Sequence, residues 1–186
     1  MIFMTAPQEL RTTRLLLRSL ERADLPDVVR LAGAREVAAT TLNIPHPYTI
    51  QDAERFLAHA NTESAAGRSA IFAVCISPEN ELCGMVGLTI APASHRAELG
   101  YWIGVAYWGQ GFATEAAGAV LQFGFEALGL RKIHASHFAG NVASQRVLEK
   151  IGMRHEGCFR AHIVKWDQEI DLENYGMLAC ENCNRK

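Results

Sequence analysis

The spacing of apolar residues predicts that the first third of the chain holds one strand and two helices. Contiguous leucines indicate a short strand at Arg14 to Ser19. Asp24, followed by Pro26, is placed as the N-cap of a helix that runs to about Arg35. A second helix is predicted after Thr49, because apolar side chains recur there at i, i+3, i+4 and i+7.

Short signals mark the boundaries of these elements. Thr49 and Asp52 have the spacing of a capping box, which places the start of the second helix. The segment Thr41 to Tyr48 holds two prolines and is predicted to be a loop. The apolar pattern changes after Gly67 to that of strands.

The remaining elements after Gly67 are three strands in an antiparallel meander, a helix, a strand, a helix and a final hairpin. They cover residues 71–76, 81–90, 96–105, 112–128, 132–138, 141–151, 155–164 and 169–178. The order β-α-α-β-β-β-α-β-α-β-β predicts an α/β fold, a mixed and mostly antiparallel sheet of seven strands flanked by about four helices. A length of 186 residues favours a single domain over residues 1–186, with a core at about 14–178.

Composition excludes several classes of protein. With 49% hydrophobic and 20% charged residues, the chain has a globular composition, and its net charge of −2 argues against a direct nucleic-acid partner. The longest apolar run, Ala70 to Ile76, is far shorter than the roughly 20 residues that span a bilayer. Since Met1 to Pro7 lacks the pattern of a secretory signal, we expect a cytoplasmic protein with no membrane partner.

The cysteines and histidines do not predict a metal site. Cys180 and Cys183 form a Cys-x-x-Cys, but zinc would need a second pair of ligands at similar spacing, and a redox pair would open a helix. His134 and His137 are three apart on a predicted strand and therefore face opposite sides. We expect reduced thiols and no metal.

The segment with the clearest chemical signal is a strand, a glycine-containing turn and a helix in direct succession. Gly109 and Gly111 precede a helix that starts on small residues, and the free N–H groups of such a start bind anions such as phosphate. A Walker A loop is excluded because no lysine lies between Ala97 and Leu130. The dinucleotide fingerprint fails because Thr114 stands where the third glycine is required. A tight crossover that serves only helix–sheet packing remains an alternative.

Three segments occur in a recognisable order, and they carry a resemblance to a known family. They are Glu98-Leu99-Gly100-Tyr101-Trp102-Ile103, the turn Trp108 to Glu115, and Asn141-x-x-Ser144-x-x-Val147-Leu148-Glu149-Lys150-Ile151-Gly152-Met153. With them the chain resembles the GCN5-related N-acetyltransferase (GNAT) superfamily, specifically its RimJ/RimL-like branch, which acetylates the N-termini of ribosomal proteins. The resemblance extends from about Arg14 to Leu178 and is most specific between Glu98 and Met153.

This resemblance implies that acetyl-CoA binds in a splayed opening between the fourth and fifth strands, here Arg96 to Val105 and Lys132 to Phe138. Backbone groups near Ile103 and Val105 would hold the pantetheine arm. The pyrophosphate would lie on the N–H groups of Gly109, Gln110, Gly111, Ala113 and Thr114. Trp108 stands where the superfamily usually has Arg or Gln, and a tryptophan there is familiar in this branch.

Two polar residues near the second motif helix are candidates for the cofactor side of the site. Asn141 is placed as a helix N-cap, and its amide is also able to bond the pantetheine or phosphate arm. Ser144 heads an otherwise apolar helical face, so its hydroxyl is either a satisfied core group or is aimed at the cofactor sulfur. Many GNAT enzymes have a tyrosine as general acid at the position that matches Leu148. Because leucine cannot donate a proton, Ser144 is the best candidate donor to the leaving thiolate.

Glu98 is the candidate general base. An amine must lose a proton before it can attack, and Glu98 shares one face of its strand with Gly100 and Trp102. In one interpretation, Glu98 acts as a base through an ordered water. In the other, Glu98 is a half-exposed strand residue that pairs with Arg96 or Arg14 and has no catalytic role.

The sequence therefore predicts an acetyl-CoA-dependent N-acetyltransferase that works by direct transfer in a ternary complex, since no cysteine lies between Glu98 and Met153. A protein or peptide N-terminal amine, such as that of a ribosomal protein, is the preferred acceptor. An amine of a small molecule (aminoglycoside, polyamine or amino acid) and a non-catalytic acyl-CoA-binding module are the alternatives. A homodimer is common among such proteins. Residues near the acceptor would come from the loop and the hairpin: Asn43, His46, Tyr48, His162, Lys165 and Trp166.

Overall fold

A computed structural model describes residues 9–182 of the chain. Cys183, and with it the predicted Cys-x-x-Cys pair, falls outside the described residues. Of the cysteines inside that range, Cys75 and Cys83 are buried, whereas Cys158 and Cys180 are exposed.

The architecture is one mixed sheet of eight strands with helices on both faces. The strands are β1 (Leu10–Arg11), β2 (Leu15–Arg18), β3 (Ser69–Ile76), β4 (Glu81–Ala91), β5 (Arg96–Ile103), β6 (Lys132–Phe138), β7 (Arg154–Lys165) and β8 (Gln168–Leu178). Their order in the sheet is β1-β2-β3-β4-β5-β6-β8-β7, and every neighbouring pair is antiparallel except β5 and β6. The predicted meander of β3, β4 and β5 is confirmed, as is the hairpin of β7 and β8.

Helices cover the two faces of this sheet. They are α1 (Leu25–Ala32), α2 (Arg35–Ala39), α3 (Ile50–Ala65), α4 (Phe112–Glu126), α5 (Val142–Lys150) and α6 (Ala179–Asn182). The capping box of α3 is confirmed: the Thr49 hydroxyl accepts the Asp52 N–H, and the Asp52 carboxylate accepts the Thr49 N–H at 2.8 Å. None of the helices between residues 9 and 182 is long and apolar enough to cross a membrane.

Alternation along β5 divides the interior into two cores. Leu99 and Ile103 belong to the core formed with α4 and α5, and Tyr101 packs on that core. Trp102 packs on the other core, which includes residues of α1 and α3. Glu98 and Gly100 share the face of Trp102, because successive side chains of a strand point to opposite sides. One strand therefore presents different chemistry to the two faces of the sheet.

The parallel pair of β5 and β6 is short, and this creates an opening in the middle of the sheet. The pairing covers only Arg96 with Lys132, Ala97 with Ile133 and Glu98 with His134. Beyond Glu98, β5 continues along β4 while β6 continues along β8. The splayed opening predicted between these strands is present.

Several predicted boundaries were wrong. The helix predicted from Asp24 to Arg35 ends at Ala32, because Ala34 (ψ 132°) leaves the helical conformation, and a separate helix, α2, buries Val37 and Ala38. The sheet has eight strands rather than seven, since the two-residue β1 is too short to leave a pattern in the sequence. The strand predicted to reach Val105 ends at Ile103, and Val105 opens a short 3₁₀ turn.

Candidate functional site

The N-terminus of α4 presents free backbone N–H groups beside the opening. Gly111 is its N-cap in a left-handed conformation (φ 82°), and no side chain caps this helix end. Gly109 is also left-handed (φ 75°), and a Cβ at this position would meet no atom within 4 Å. The N–H groups of the first turn, at Phe112, Ala113 and Thr114, therefore keep the capacity to bind an anion.

A polar network holds this turn in place. Arg14 forms an ion pair with Glu115 at 2.7 Å, and its Nη1 donates to the Gln110 carbonyl oxygen at 2.9 Å. The Glu115 carboxylate also accepts from the Thr12 hydroxyl at 2.6 Å. Although burial alone would raise the pKa of Glu115, these bonds lower it below the ordinary value. The Arg14 guanidinium lies 4.8 Å from the centre of the Phe112 ring.

Trp108 has a local structural role at the end of β5. Its indole Nε1–H donates to the Ile103 carbonyl oxygen at 2.6 Å. The same indole ties the end of β5 to the turn that precedes Gly109. The Ile103 carbonyl is thus already engaged by the protein.

The ladder between β4 and β5 directs other backbone groups of β5 into the opening. Gly104 N–H donates to the Cys83 carbonyl oxygen at 2.8 Å, so the even-numbered residues of β5 bond to β4. The backbone groups of Tyr101 and the N–H of Ile103 point to the other side, where pairing with β6 has ended. These groups are placed to bind an extended chain as a missing strand would.

On the α4 and α5 face of the opening, two hydroxyls meet. The Tyr101 and Ser144 hydroxyl oxygens are 2.7 Å apart and share a hydrogen bond, and Tyr101 also donates to the Ser144 carbonyl oxygen at 3.3 Å. Burial raises the pKa of Tyr101 to about 12, despite the opposing effect of this hydrogen bond, so the phenol stays protonated at neutral pH. The Asn141 side-chain oxygen accepts the Ser144 N–H at 3.1 Å, which confirms the predicted N-cap. Leu148, by contrast, is fully buried in the core.

On the opposite face of the sheet, Glu98 is exposed, and it lines the cavity that includes the opening. Arg14 is paired with Glu115, and neither it nor Arg96 bonds to Glu98 within the part of the chain that the structure describes. The interpretation of Glu98 as a paired strand residue is therefore not met. Glu98 and Ser144 lie on either side of the opening.

A single cavity of about 980 Å³ contains both sides. Its lining includes Glu98 and most of the predicted cofactor-binding residues: Ile103, Gly109, Gly111, Ala113, Thr114, Asn141 and Ser144. Val105 and Gln110 are not in the lining; Val105 lies on the exposed 3₁₀ turn, and the Gln110 carbonyl faces Arg14. Within residues 9–182, no group of three His, Cys, Asp or Glu side chains is arranged to hold a metal ion.

The far wall of the cavity is the loop at residues 40–45, which is held by a lysine from the hairpin. The buried Lys165 ammonium donates to the carbonyl oxygens of Thr41 at 2.5 Å, Ile44 at 3.0 Å and Leu42 at 3.3 Å. Burial lowers the pKa of Lys165. Of the residues predicted near the acceptor, Asn43 and Tyr48 line the cavity, whereas His46, His162, Lys165 and Trp166 do not.

Sequence reasoning missed Tyr101 and Arg14 as parts of the site. It placed Lys165 near the acceptor but did not predict that this lysine holds the loop. Tyr101 stands in the first quoted motif, but its bond to Ser144 depends on how α5 packs against β5. The contacts of Arg14 and Lys165 cross about one hundred residues of chain or more. The only sequence feature that could have indicated these residues is a polar side chain beside apolar neighbours.

Comparison with known proteins gives a consistent result. The family described as an acetyltransferase (GNAT) domain matches residues 14–154. The N-acetyltransferase YnaD of Bacillus subtilis (strain 168), itself uncharacterized, is 32% identical over 171 residues, which are 91% of this chain and 96% of that protein. A crystal structure of a GNAT-family acetyltransferase from Bacillus anthracis has a TM-score of 0.82 at 29% identity and covers 94% of this chain and 100% of the other.

A further solved structure shares the fold. It is RimL, a ribosomal L7/L12 alpha-N-protein acetyltransferase, in complex with coenzyme A. Its TM-score is 0.85 at 17% identity, and the match covers 92% of this chain and 98% of that one. At this identity the likeness concerns the fold alone.

Proposed function

This chain belongs to the GNAT family of N-acetyltransferases, and from that premise we propose that it moves the acetyl group of acetyl-CoA to a primary amine, with the N-terminal α-amine of a peptide or protein as the first candidate. The proposal is carried by one observation. An opening in the sheet lies between an uncapped helix N-terminus, a protonated Tyr101–Ser144 pair on one face and an unpaired Glu98 on the other.

The residues around the opening fit acetyl-CoA. The two left-handed glycines leave space for a bulky diphosphate against the first turn of α4, and that turn supplies N–H donors and the positive end of a helix dipole. The backbone groups of Tyr101 would bond the pantetheine arm, which leaves the Ile103 N–H free for the thioester carbonyl. The bound thioester supplies an activated acetyl group and a thiolate leaving group.

Proton removal from the amine and proton donation to the leaving sulfur would take place on opposite faces of the sheet. On the α1 and α3 face, Glu98 would take a proton from the incoming ammonium, directly or through a water. The Ile103 N–H would polarise the carbonyl that is attacked. On the α4 and α5 face, the Ser144 hydroxyl, held by Tyr101, would donate to the sulfur as it leaves, and the Tyr101 hydroxyl stands behind it as a proton source.

A peptide α-amine is an acceptor that a single carboxylate can deprotonate. Its pKa, near 7.7–8, leaves a useful neutral fraction at pH 7, whereas a lysine amine at about 10.4 is almost wholly charged. RimL, which shares this fold, is a ribosomal L7/L12 alpha-N-protein acetyltransferase, and this supports an N-terminal amine as the acceptor.

The test is release of free coenzyme A thiol from acetyl-CoA in the presence of short peptides, with mass spectrometry to locate the acetyl group. We expect acetylation of the α-amine. Binding of acetyl-CoA without thiol release on any amine would support a binding module instead, and acetylation confined to lysine side chains would overturn the choice of acceptor.

The roles of the two faces are tested separately. Ser144→Ala and Tyr101→Phe should each lower kcat by roughly a hundredfold while leaving the Kd of acetyl-CoA unchanged. Tyr175→Phe, which alters a buried tyrosine packed on His137 and His155, is the control and should keep its activity. Full activity in Ser144→Ala would contradict the role of this pair.

Glu98→Gln addresses the amine side. Its kcat should fall by a similar factor at pH 7 and should recover in part as the pH rises above about 8, where an α-amine is already neutral. A loss that is equal at all pH values would show that Glu98 positions the acceptor rather than removing a proton.

A further inference from the structure

On the acceptor side, β4 and β5 form one wall of the cavity, and this wall has a gap, an open space above one residue of β5. Three cross-strand pairs share the face of Glu98: Thr89 with Glu98, Gly87 with Gly100, and Met85 with Trp102. All six residues line the cavity. A Cβ on Gly100 would meet no atom within 4 Å, so open space lies directly above it, between Glu98 and Trp102.

The walls around this gap are apolar. Val28 of α1, Phe56 of α3 and Ile71 of β3 line the cavity on the same face of the sheet. Leu42 and Ile44 line it from the loop that Lys165 holds. Leu42 is 48% exposed, so its side chain is available for contact within the cavity.

Acidic groups are sparse in the lining. Among the described lining residues only Glu98 and Asp52 are acidic. Asp52 is already engaged by the Thr49 hydroxyl at 2.6 Å, by the Thr49 N–H and by the Arg55 guanidinium. One free carboxylate can neutralise one ammonium, so a polyamine or an aminoglycoside would bury further positive charges without partners.

We propose that the acceptor carries an apolar group next to its amine. The amine lies at Glu98, and the apolar group, of the size of a leucine, methionine or phenylalanine side chain, lies over Gly100 against Trp102 and Met85. This inference rests on the proposed acetyl transfer and specifies its substrate class. The chemistry is shared by peptides with an apolar first residue and by free alkyl- or arylalkylamines, and the backbone that follows the first residue separates these two sources.

The first experiment compares kcat/KM for tetrapeptides that differ only in their first residue (Leu, Met, Phe, Ala, Ser or Lys), together with phenethylamine and spermidine. We expect the three apolar residues to exceed Ala and Ser by roughly tenfold or more, and spermidine to be the poorest. Phenethylamine at a rate comparable to the Phe peptide would identify small amines as the source.

Failure of this inference differs from failure of the proposed function. If no amine releases thiol, acetyl transfer itself is overturned. If Ala and Ser peptides or spermidine are preferred, acetyl transfer stands and the apolar class is wrong.

The second experiment places a side chain in the open space above Gly100. Gly100→Ala and Gly100→Val should progressively lower kcat/KM for the Phe and Leu peptides, by roughly tenfold or more in Gly100→Val, while the Ala peptide loses little. The Kd of acetyl-CoA, measured by calorimetry on each variant, should be unchanged and serves as the check on folding. An equal loss for all peptides with an intact Kd would place the apolar group elsewhere.

Discussion

The two halves of the cavity are built in different ways. The half that we assign to acetyl-CoA, the cofactor half, is made mainly of backbone: the left-handed Gly109 and Gly111, the first turn of α4 and the free edge of β5. The half that we assign to the amine, the acceptor half, is made of side chains such as Phe56, Met85 and Trp102, which come from separate elements. Backbone recognition suits a ligand that is the same throughout a family, whereas side chains can change with the substrate.

Rigidity is also achieved differently. In the cofactor half, Arg14 joins Glu115 and Gln110 within one exposed network. In the acceptor half, a single buried Lys165 holds three carbonyl oxygens of the loop. This comparison predicts that a substitution in one half weakens the binding of one substrate and leaves the binding of the other unchanged.

Among the variants that test this comparison, Gly109→Ala is expected to have the largest effect. A left-handed conformation costs an alanine roughly 1–2 kcal/mol, and the new Cβ would enter the space that faces the anion site. We expect the Kd of acetyl-CoA, measured by calorimetry, to rise by roughly tenfold.

Gly67→Ala is the matched control, because Gly67 has a φ of 68° and equally open surroundings at the end of α3, away from the cavity. Both variants should lose similar free energy of unfolding, and only Gly109→Ala should lose affinity. Equal affinities would show that this glycine serves the turn alone.

Lys165→Met should act on the other substrate. It leaves three carbonyl oxygens without their donor and frees the loop that lines the acceptor half. Steady-state kinetics should show the KM of the peptide rising about fivefold, with little change in the KM of acetyl-CoA.

Lys132→Met, which removes a half-exposed ion pair with Glu156 at 2.7 Å, is the control for this variant and should leave both KM values unchanged. A rise in the KM of acetyl-CoA in Lys165→Met would show that the loop supports both halves.

The smallest effect is a pH dependence of stability at the α4 turn. Because the pKa of Glu115 is lowered in the folded chain, its contribution is present above the unfolded value of about 4.3 and is lost as the pH falls through the folded pKa. Chemical denaturation should find Glu115→Gln less stable than wild type by about 1 kcal/mol at pH 7, with the difference shrinking towards pH 3.

Glu63→Gln removes the partner of Arg68 in an exposed pair outside the site and should change stability by less than Glu115→Gln at pH 7. If the Glu115→Gln difference did not depend on pH, the carboxylate charge would not be what holds the turn.

Local patterns along the chain were enough to predict several elements. Apolar periodicity predicted the meander, α3, α4, α5 and the hairpin, and the two glycines before α4 predicted the left-handed turn at its start, because short-range backbone geometry depends on neighbouring residues. The break between α1 and α2 was missed, since the burial of Val37 and Ala38 overrides a continuous helical pattern.

The contacts across the opening depend on long-range packing. The Tyr101–Ser144 bond, the Arg14 network and the Lys165 contacts join segments far apart in the chain, and no local pattern specifies such distances. The open space above Gly100 is likewise a result of packing, because a glycine in a strand reads the same in sequence whether a neighbour fills its place or not.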